Sequence, residues 1–153
     1  MKQFLKENLY SILLLILVGM VLIFCGRLIH YEFSTRFATE GLTKASDLVR
    51  CAEYFGWEVD RASETKETIY IPKEFDSVWM RYNELQNLCG FDLSFYRGKS
   101  AVRHTFRVLN FPGMAETEAF INLLVIDGRL IGGDCFTVAL DGMMLPLDIR
   151  SLH

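Results

Sequence analysis

Four basic residues lie close together in the sequence, on or just before a predicted β-strand: Arg97, Lys99, Arg103 and Arg107. The last three recur at every fourth position, so they project from one face of the strand, about 13 Å apart at a rise of about 3.3 Å per residue. This stripe predicts a face that binds anions such as phosphate-bearing polymers or lipid head groups. The alternative is an ordinary solvated sheet face, paired across strands with carboxylates such as Glu116 or Glu118.

Asp134 follows two glycines inside another predicted strand, Ile131-Gly132-Gly133-Asp134. Glycine weakens a strand interior, so the pair indicates a bulge or a close approach of another group to the backbone. One hypothesis gives Asp134 a ligand contact or an acid/base role. The alternative is a bulge in which Asp134 caps a local amide, and a single carboxylate favours this alternative because it makes no mechanism by itself.

Asn83 and Asp92 form the third candidate site, since Asn83, Gln86 and Asn87 place amides along one polar side of a predicted helix that leads into the Asp92 loop. Amide groups can bind a sugar or a peptide by hydrogen bonds. They also cap helices and tether loops, and this structural role is the alternative interpretation.

The sequence shows no catalytic, metal-binding or cofactor-binding set of residues. His30 adjoins an apolar run, His104 is a single imidazole on a strand and His153 is terminal, and none accompanies a recognisable nucleophile motif. The cysteines lack the close paired spacing of zinc sites, and no glycine pattern of a phosphate loop occurs. Buried free thiols or a disulfide between Cys51 and Cys89 both remain open. We expect no catalytic residue, no metal and no cofactor.

An uncharged run of 19 residues, Asn8 to Gly26, lies between Lys6 and Arg27. At about 1.5 Å per residue it spans roughly 28 Å, close to the hydrocarbon thickness of a bilayer, and it has no polar face. A cleaved signal peptide is the alternative, but its exit side lacks the small residues that cleavage needs. The run therefore predicts a transmembrane anchor, residues 8–27, in contact with membrane lipid.

The orientation of this anchor is predicted from its flanks, although basic residues occur on both sides of it. A short tail with two lysines is the usual retained side, and a long following domain can be translocated largely regardless of its charge. We expect a single-pass protein of the cell membrane. Its predicted parts are a cytoplasmic tail (1–7), the anchor, a juxtamembrane helical segment (28–42) and a soluble extracytoplasmic domain (43–150).

The charge of the soluble part argues against nucleic acid as a partner. Removing Lys2, Lys6 and Glu7 from the 16 basic and 19 acidic side chains of the chain leaves a net charge of about −4. About 110 residues also match the usual size of one domain with its own core.

Hydrophobic periodicity predicts the elements of this domain. In order, they are a helix (44–55), a hairpin of strands 57–61 and 68–71 across a polar turn at 63–66, a helix (75–88), and a three-strand meander (101–110, 117–126 and 130–140). Asp127-Gly128 is a strong hairpin signal, and the run 120–126 is apolar on both faces, which indicates a central strand. We expect an α+β domain with both helices on one face of an antiparallel sheet.

A set of short motifs in this order resembles an uncharacterised family of small membrane-anchored proteins, known chiefly from Gram-positive anaerobic bacteria as a domain of unknown function. The resemblance covers roughly residues 45–147 and rests on Tyr54-Phe55-Gly56-Trp57-Glu58-Val59, Ile71-Pro72-Lys73-Glu74-Phe75, Tyr82-Asn83-Glu84-Leu85-Gln86, Gly90-Phe91-Asp92-Leu93, Tyr96-Arg97-Gly98-Lys99, Asn122-Leu123-Leu124-Val125 and Ile131-Gly132-Gly133-Asp134. It implies an extracytoplasmic module on an N-terminal helix and supplies no reaction.

Two functional hypotheses follow from these observations. The first is a binding or protein-interaction module of the cell envelope, whose partner is a protein or an anionic envelope polymer. The alternative is a small envelope enzyme that uses Asp134 with Asp92, Tyr96 or Arg103, which requires Asp92 and Asp134 to converge on one cavity.

Overall fold

One continuous helix, α1 (Lys2–Thr39), contains the whole apolar run and continues through most of the predicted juxtamembrane segment. Its segment Asn8–Arg36 is long and apolar enough to cross a membrane. None of the most apolar stretch of this segment is buried inside the protein. A core helix of a soluble protein would bury such a surface, so the surface of α1 is available to a lipid environment.

The computed structural model describes residues 2–112, 118–138 and 142–152. The chain divides into two compact units, Met1–Phe37 and Ala38–His153. The second unit contains two helices, α2 (Ala45–Tyr54) and α3 (Ser77–Asn87), and five strands. The strands are β1 (Val59–Tyr70), β2 (Ser100–Val108), β3 (Ala119–Ile126), β4 (Arg129–Thr137) and β5 (Met144–Pro146). Short 3₁₀ helices occupy Leu93–Tyr96 and Ile149–Leu152.

The five strands form one antiparallel sheet in the order β1-β2-β3-β4-β5, which confirms the predicted α+β class and its three-strand meander. The central position of the apolar run is also confirmed, because β3 pairs with β2 on one side and β4 on the other. Asp127 and Gly128 connect β3 to β4 with φ angles of 49° and 74°. Positive φ at both central residues is what a tight hairpin turn with the twist of its strands requires.

The predicted hairpin within residues 57–71 is wrong, because both of its strands belong to the single strand β1. The register of β1 against β2 shifts between Asp60 and Thr65, so the polar residues form a bulge instead of a turn. Inside the bulge, the Ala62 N–H donates to Asp60 Oδ1 at 2.9 Å and the Ser63 hydroxyl donates to the Asp60 carbonyl at 2.7 Å. These local bonds let the chain resume pairing with β2 at Thr65.

The expectation that both helices cover one face of the sheet is also wrong. Leu48 and Cys51 of α2 belong to the same buried cluster as Ile121 and Leu123, whereas the next β3 residue, Leu124, belongs to a second cluster. Trp79 and Tyr82 of α3 pack against this second cluster. Successive strand residues point to opposite faces, so α2 and α3 lie on opposite faces of the sheet. A central strand that is apolar on both faces needs a cover on each of them.

The short strand β5 was not predicted from the sequence. It has three residues, includes Pro146 and pairs with β4 at one edge of the sheet, where proline is tolerated. All four cysteines are free, so Cys51 and Cys89 are not joined by a disulfide. Burial raises the pKa of the Cys51 thiol to about 12, and this thiol is therefore protonated and unreactive at neutral pH.

Candidate functional site

An open groove of about 640 Å³ lies between α3 and the sheet. Its helical wall is one face of α3, since the residues that line it are spaced by three and four positions. The lining residues of the helix are Val78, Trp79, Arg81, Tyr82 and Leu85, and those of the sheet are Ile69, Arg103, Leu124 and Met144. The lining is apolar or aromatic apart from the two arginines, which makes this groove the candidate binding site of the domain.

Each end of α3 is held by polar contacts. At the start, the Asp76 carboxylate accepts hydrogen bonds from the backbone N–H groups of Val78 and Trp79 at 3.0 and 2.9 Å. Near the end, the fully buried Gln86 accepts a hydrogen bond from the Gly133 N–H through Oε1 at 2.7 Å. The Asp76 cap stabilises the first turn of the helix, and the Gln86 bond fixes the helix wall to the sheet, so the groove is part of the folded structure.

The glycine pair permits this close packing. A Cβ at Gly132 would lie 2.7 Å from Gln86 Oε1, and a Cβ at Gly133 would overlap the carbonyl oxygen of Asn122. The bulge predicted at this position is present as a register shift, in which Leu130 pairs with Val125 and Gly132 with Leu124. The glycine pair therefore lies both beside a bulge and at a close approach of other groups to the backbone.

Asp134 lies beneath the groove and is only 1% exposed. Its carboxylate accepts hydrogen bonds from the Tyr82 hydroxyl at 2.7 Å and from Asn122 Nδ2 at 3.0 Å. Burial raises the pKa of Asp134, although both hydrogen bonds and the charge of Arg103 act in the opposite direction. Burial, together with the charge of Asp134, also raises the pKa of Tyr82 well above its usual value. These contacts hold the Tyr82 ring in place as part of the groove wall.

The four basic candidates differ in their contacts. Arg103 pairs with Glu67, and Arg107 pairs with Asp60 at 2.7 Å. Cross-strand pairing is therefore present, but its carboxylates come from β1. Glu118 has no ion pair in the described part of the chain, and Glu116 lies outside the described residues.

The other two basic candidates lie over aromatic rings. The Arg97 guanidinium is 4.5 Å from the centre of the Phe75 ring, and Lys99 Nζ is 5.4 Å from that of Tyr96. Both distances are typical of cation–π contacts. Of the four basic residues, only Arg103 lines the groove.

Asn83 and Asp92 tether a loop. Asn83 Nδ2 donates to Asp92 Oδ1 at 3.0 Å, and Asn83 Oδ1 accepts the Leu93 N–H at 2.7 Å. The Ser94 N–H donates to the same Asp92 oxygen at 2.8 Å, and the hydrogen bonds from Ser94 and Asn83 lower the pKa of Asp92. This geometry matches the structural interpretation of the two residues, since their polar atoms are engaged in holding the loop beside α3.

A family profile described as a domain of unknown function, DUF4830, matches residues 52–134. This match covers more than half of the chain, from α2 to Asp134, and includes the whole of α3. The chain belongs to the DUF4830 family. No curated protein and no solved structure matches it. The matched residues of DUF4830 exclude α1, so membrane anchoring is argued from that helix alone.

The two candidate carboxylates of the DUF4830 domain, Asp92 and Asp134, are hydrogen-bonded to different residues. Asp134 is bonded to Tyr82 and Asn122, Asp92 is bonded to Asn83 and Ser94, and neither lines the groove. Among the residues that the structure describes, no group of three His, Cys, Asp or Glu side chains could hold a metal ion. The polar contacts of these carboxylates position α3 and its loop.

Arg81 and Tyr82 of the DUF4830 domain are not among the predicted site residues, whereas Gln86 is one of the three amides of the third candidate site. Tyr82 lies within the predicted helix 75–88, on the apolar stripe of that helix, where a tyrosine is ordinarily a core residue. One available signal was its hydroxyl, which needs a partner when it is buried, and Asp134 was an unassigned carboxylate elsewhere in the chain. Nothing in the spacing of Arg81 distinguished it from a solvated surface residue.

Proposed function

We propose that the protein is a single-pass membrane protein whose DUF4830 domain is a binding or protein-interaction module of the cell envelope. In this proposal residues 8–27 lie in the bilayer, residues 1–7 face the cytoplasm and the domain lies outside. The groove beside α3 is the binding surface. The observation that carries the proposal is this groove, which is concave, mostly apolar and bordered by a helix that is hydrogen-bonded to the sheet through Tyr82 and Gln86.

The anchor is supported by the length and exposure of α1, since none of its most apolar stretch is buried against the described part of the chain. Lys2 and Lys6 precede the apolar run, and short lysine-bearing tails are the usual cytoplasmic side. The net negative charge of the remaining chain makes a nucleic-acid partner unfavourable. A protein or an anionic envelope component is a suitable partner, since the charged side chains among the described lining residues are two arginines.

Binding is favoured over catalysis because the described lining of the groove presents no free proton-transfer group to a ligand. Its volume is within the range of about 300–1,000 Å³ that is typical of ligand sites. The Tyr82 hydroxyl is directed to Asp134, and Asp134 itself is buried. The alternative enzyme requires Asp92 and Asp134 at one cavity, and no observed contact favours that arrangement.

The orientation is tested with epitope tags on the full chain in its native membrane. We expect a C-terminal tag to be degraded by protease added to intact cells and an N-terminal tag to be protected until the cells are permeabilised. An internal cytosolic protein provides the control for cell integrity. Protection of the C-terminal tag in intact cells would contradict the proposed orientation.

The binding role is tested by placing a photo-crosslinking amino acid at Val78, which lines the groove and is 67% exposed. Val138 is the matched control position, since it is also a valine, is 63% exposed and does not line the groove. In native membranes we expect a discrete adduct from position 78 that is absent from position 138, with its mass identified by mass spectrometry. Equal labelling from both positions, or none from either, would refute the groove as a binding surface.

A further inference from the structure

We infer that the groove beside α3 binds a single-chain amphiphile, a long apolar chain that ends in a carboxylate or phosphate. This inference rests on the proposed function and names the ligand class of the same site. A polypeptide ligand is the competing class, and the experiment below distinguishes the two.

The lining of the groove extends across the sheet, which suits an extended apolar body. Its lining begins at Ile69 on the first strand of the sheet and reaches Met144 on the last strand. With neighbouring strands about 4.8 Å apart, five strands extend over roughly 19 Å. Leu124 and Leu85 lie on the sheet wall and helix wall, so an alkyl chain would meet apolar groups on both sides. Each methylene that leaves water for this lining favours binding.

The charge of the groove suits an anionic head group. Arg81 is exposed, and its side chain has no ion pair or hydrogen bond within the described ranges. Arg103 uses Nη2 for its bond to Glu67, while Nε and Nη1 have no hydrogen-bond partner in the described part of the chain. A guanidinium presents five N–H donors in a planar arrangement that matches carboxylate and phosphate oxygens. No acidic residue within 2–112, 118–138 or 142–152 lines the groove, although the domain as a whole is acidic.

The size of the site favours an amphiphile over a folded polypeptide. A volume of about 640 Å³ falls among small-molecule sites, whereas a stable protein interface covers about 800 Å² on each partner. The proposed anchor also holds the domain within reach of a membrane, where single-chain amphiphiles are concentrated. Both considerations point to a ligand that leaves or enters a bilayer.

Trp79 provides a direct readout, because it lines the groove and a bromine atom on a bound chain quenches indole fluorescence at short range. The chain has two tryptophans, and the other, Trp57, is fully buried in the core on the opposite face of the sheet. Since α1 contains no tryptophan, brominated chains dissolved in the bilayer do not report on the anchor. The full chain is placed in phosphatidylcholine nanodiscs and titrated with brominated dodecanoate.

We expect saturable quenching by brominated dodecanoate that disappears in Trp79→Phe, which leaves Trp57 as the only emitter. Brominated dodecanol, which has the same chain without a charge, should require about ten-fold higher concentration, because a hydrogen bond to a charged group is lost. Brominated dodecyl phosphate is the second anionic probe. Tighter half-saturation by the phosphate or by the carboxylate identifies the head group that the site prefers.

Arg103→Gln and Arg107→Gln form the matched pair of variants. Both residues lie on β2 and each pairs with a β1 carboxylate, but only Arg103 lines the groove. We expect about ten-fold weaker half-saturation for Arg103→Gln and less than a two-fold change for Arg107→Gln. Arg81→Gln should weaken binding in the same direction, and its exposed position keeps the test valid if Arg103→Gln impairs folding.

Three results would overturn the inference: no quenching of Trp79, equal half-saturation by the acid and the alcohol, or equal weakening in the Arg103 and Arg107 variants. The crosslinking at Val78 separates this failure from failure of the proposed function. A polypeptide adduct at Val78 without Trp79 quenching refutes the amphiphile and leaves the binding module intact. Absence of any adduct at Val78 refutes both.

Discussion

Alanine substitution of the two adjacent glycines in β4 should have unequal effects on stability. At Gly133 the added Cβ would overlap the backbone carbonyl of Asn122 and lie 3.2 Å from both Leu147 methyl carbons. At Gly132 it would meet the Gln86 side chain, with Oε1 at 2.7 Å and Leu93 Cδ2 at 3.3 Å. Neither glycine has a left-handed backbone, so the difference is a matter of space alone.

The size of the stability loss depends on which group the added Cβ would meet. A buried side chain such as Gln86 can rotate, at the loss of its hydrogen bond to the Gly133 N–H, and we expect Gly132→Ala to lower the free energy of unfolding by about 1–2 kcal/mol. A backbone carbonyl in the central ladder moves only with its strand. We therefore expect Gly133→Ala to lower the free energy of unfolding by about 3 kcal/mol or more, the upper end for overpacking.

Urea unfolding of the full chain, followed by the fluorescence of its two tryptophans, Trp57 and Trp79, measures both values. With an m-value of about 2 kcal/mol/M, a loss of 3 kcal/mol lowers the unfolding midpoint by about 1.5 M. Gly132→Ala is the matched control, since it introduces the same methyl one residue away. If Gly132→Ala is as damaging as Gly133→Ala, or if Gly133→Ala costs less than about 1 kcal/mol, the close-packing explanation of the glycine pair is refuted.

Three further changes test the buried contacts. Tyr82→Phe removes a donor to the buried Asp134 and should lower the free energy of unfolding by about 1–3 kcal/mol in urea titrations; an unchanged midpoint would show that this bond does not stabilise the fold. Because burial raises the pKa of Asp134, its contribution to stability is greatest below about pH 4 and is lost as pH rises through the folded-state pKa. Asp134→Asn should therefore show a flatter melting temperature between pH 4 and 7 than the wild type, and parallel curves would contradict this. Trp57→Phe loses the bond from Nε1 to the Leu147 carbonyl and part of a buried ring, and should cost about 2 kcal/mol by circular dichroism; a loss below about 0.5 kcal/mol would contradict this packing.

The polar segment of β1 shows why local signals misplace a turn. Ser63 to Lys66 has the composition of a loop, and the runs on either side have the pattern of strands. Whether such a segment reverses the chain or bulges depends on the strand beside it. Here the Ser63 hydroxyl accepts the Arg107 N–H at 2.8 Å, so a residue more than forty positions away stabilises the bulge.

The placement of the two helices on the sheet also depends on distant contacts that local patterns do not show. The run 120–126 is apolar on both faces, and this pattern correctly predicts a central strand. The same pattern implies that both faces of the sheet are covered, but it does not indicate which helix covers which face. That assignment follows from contacts such as Gln86 with Gly133, which join residues 47 positions apart.

The sequence predicted some residues of the candidate site, but it did not predict the groove that they line together. Arg103 and Asp134 were identified as candidates because charge on a strand is conspicuous in a sequence. Arg81 and Tyr82 were not, because a helical stripe that lines a groove has the same periodicity as one that is buried in a core.

The sequence by itself determined the long apolar helix, the α+β class, the central strand and the Asp127-Gly128 turn. Each of these depends on neighbours within one element: a run of apolar side chains, an alternating pattern, or a backbone conformation that few residues adopt. Only the tertiary structure decided that α2 and α3 cover opposite faces, that β1 bulges, and that Tyr82, Arg81 and Arg103 border one groove. The physical reason is that these features depend on packing between residues far apart in the chain, and a local pattern carries no information about its distant partner.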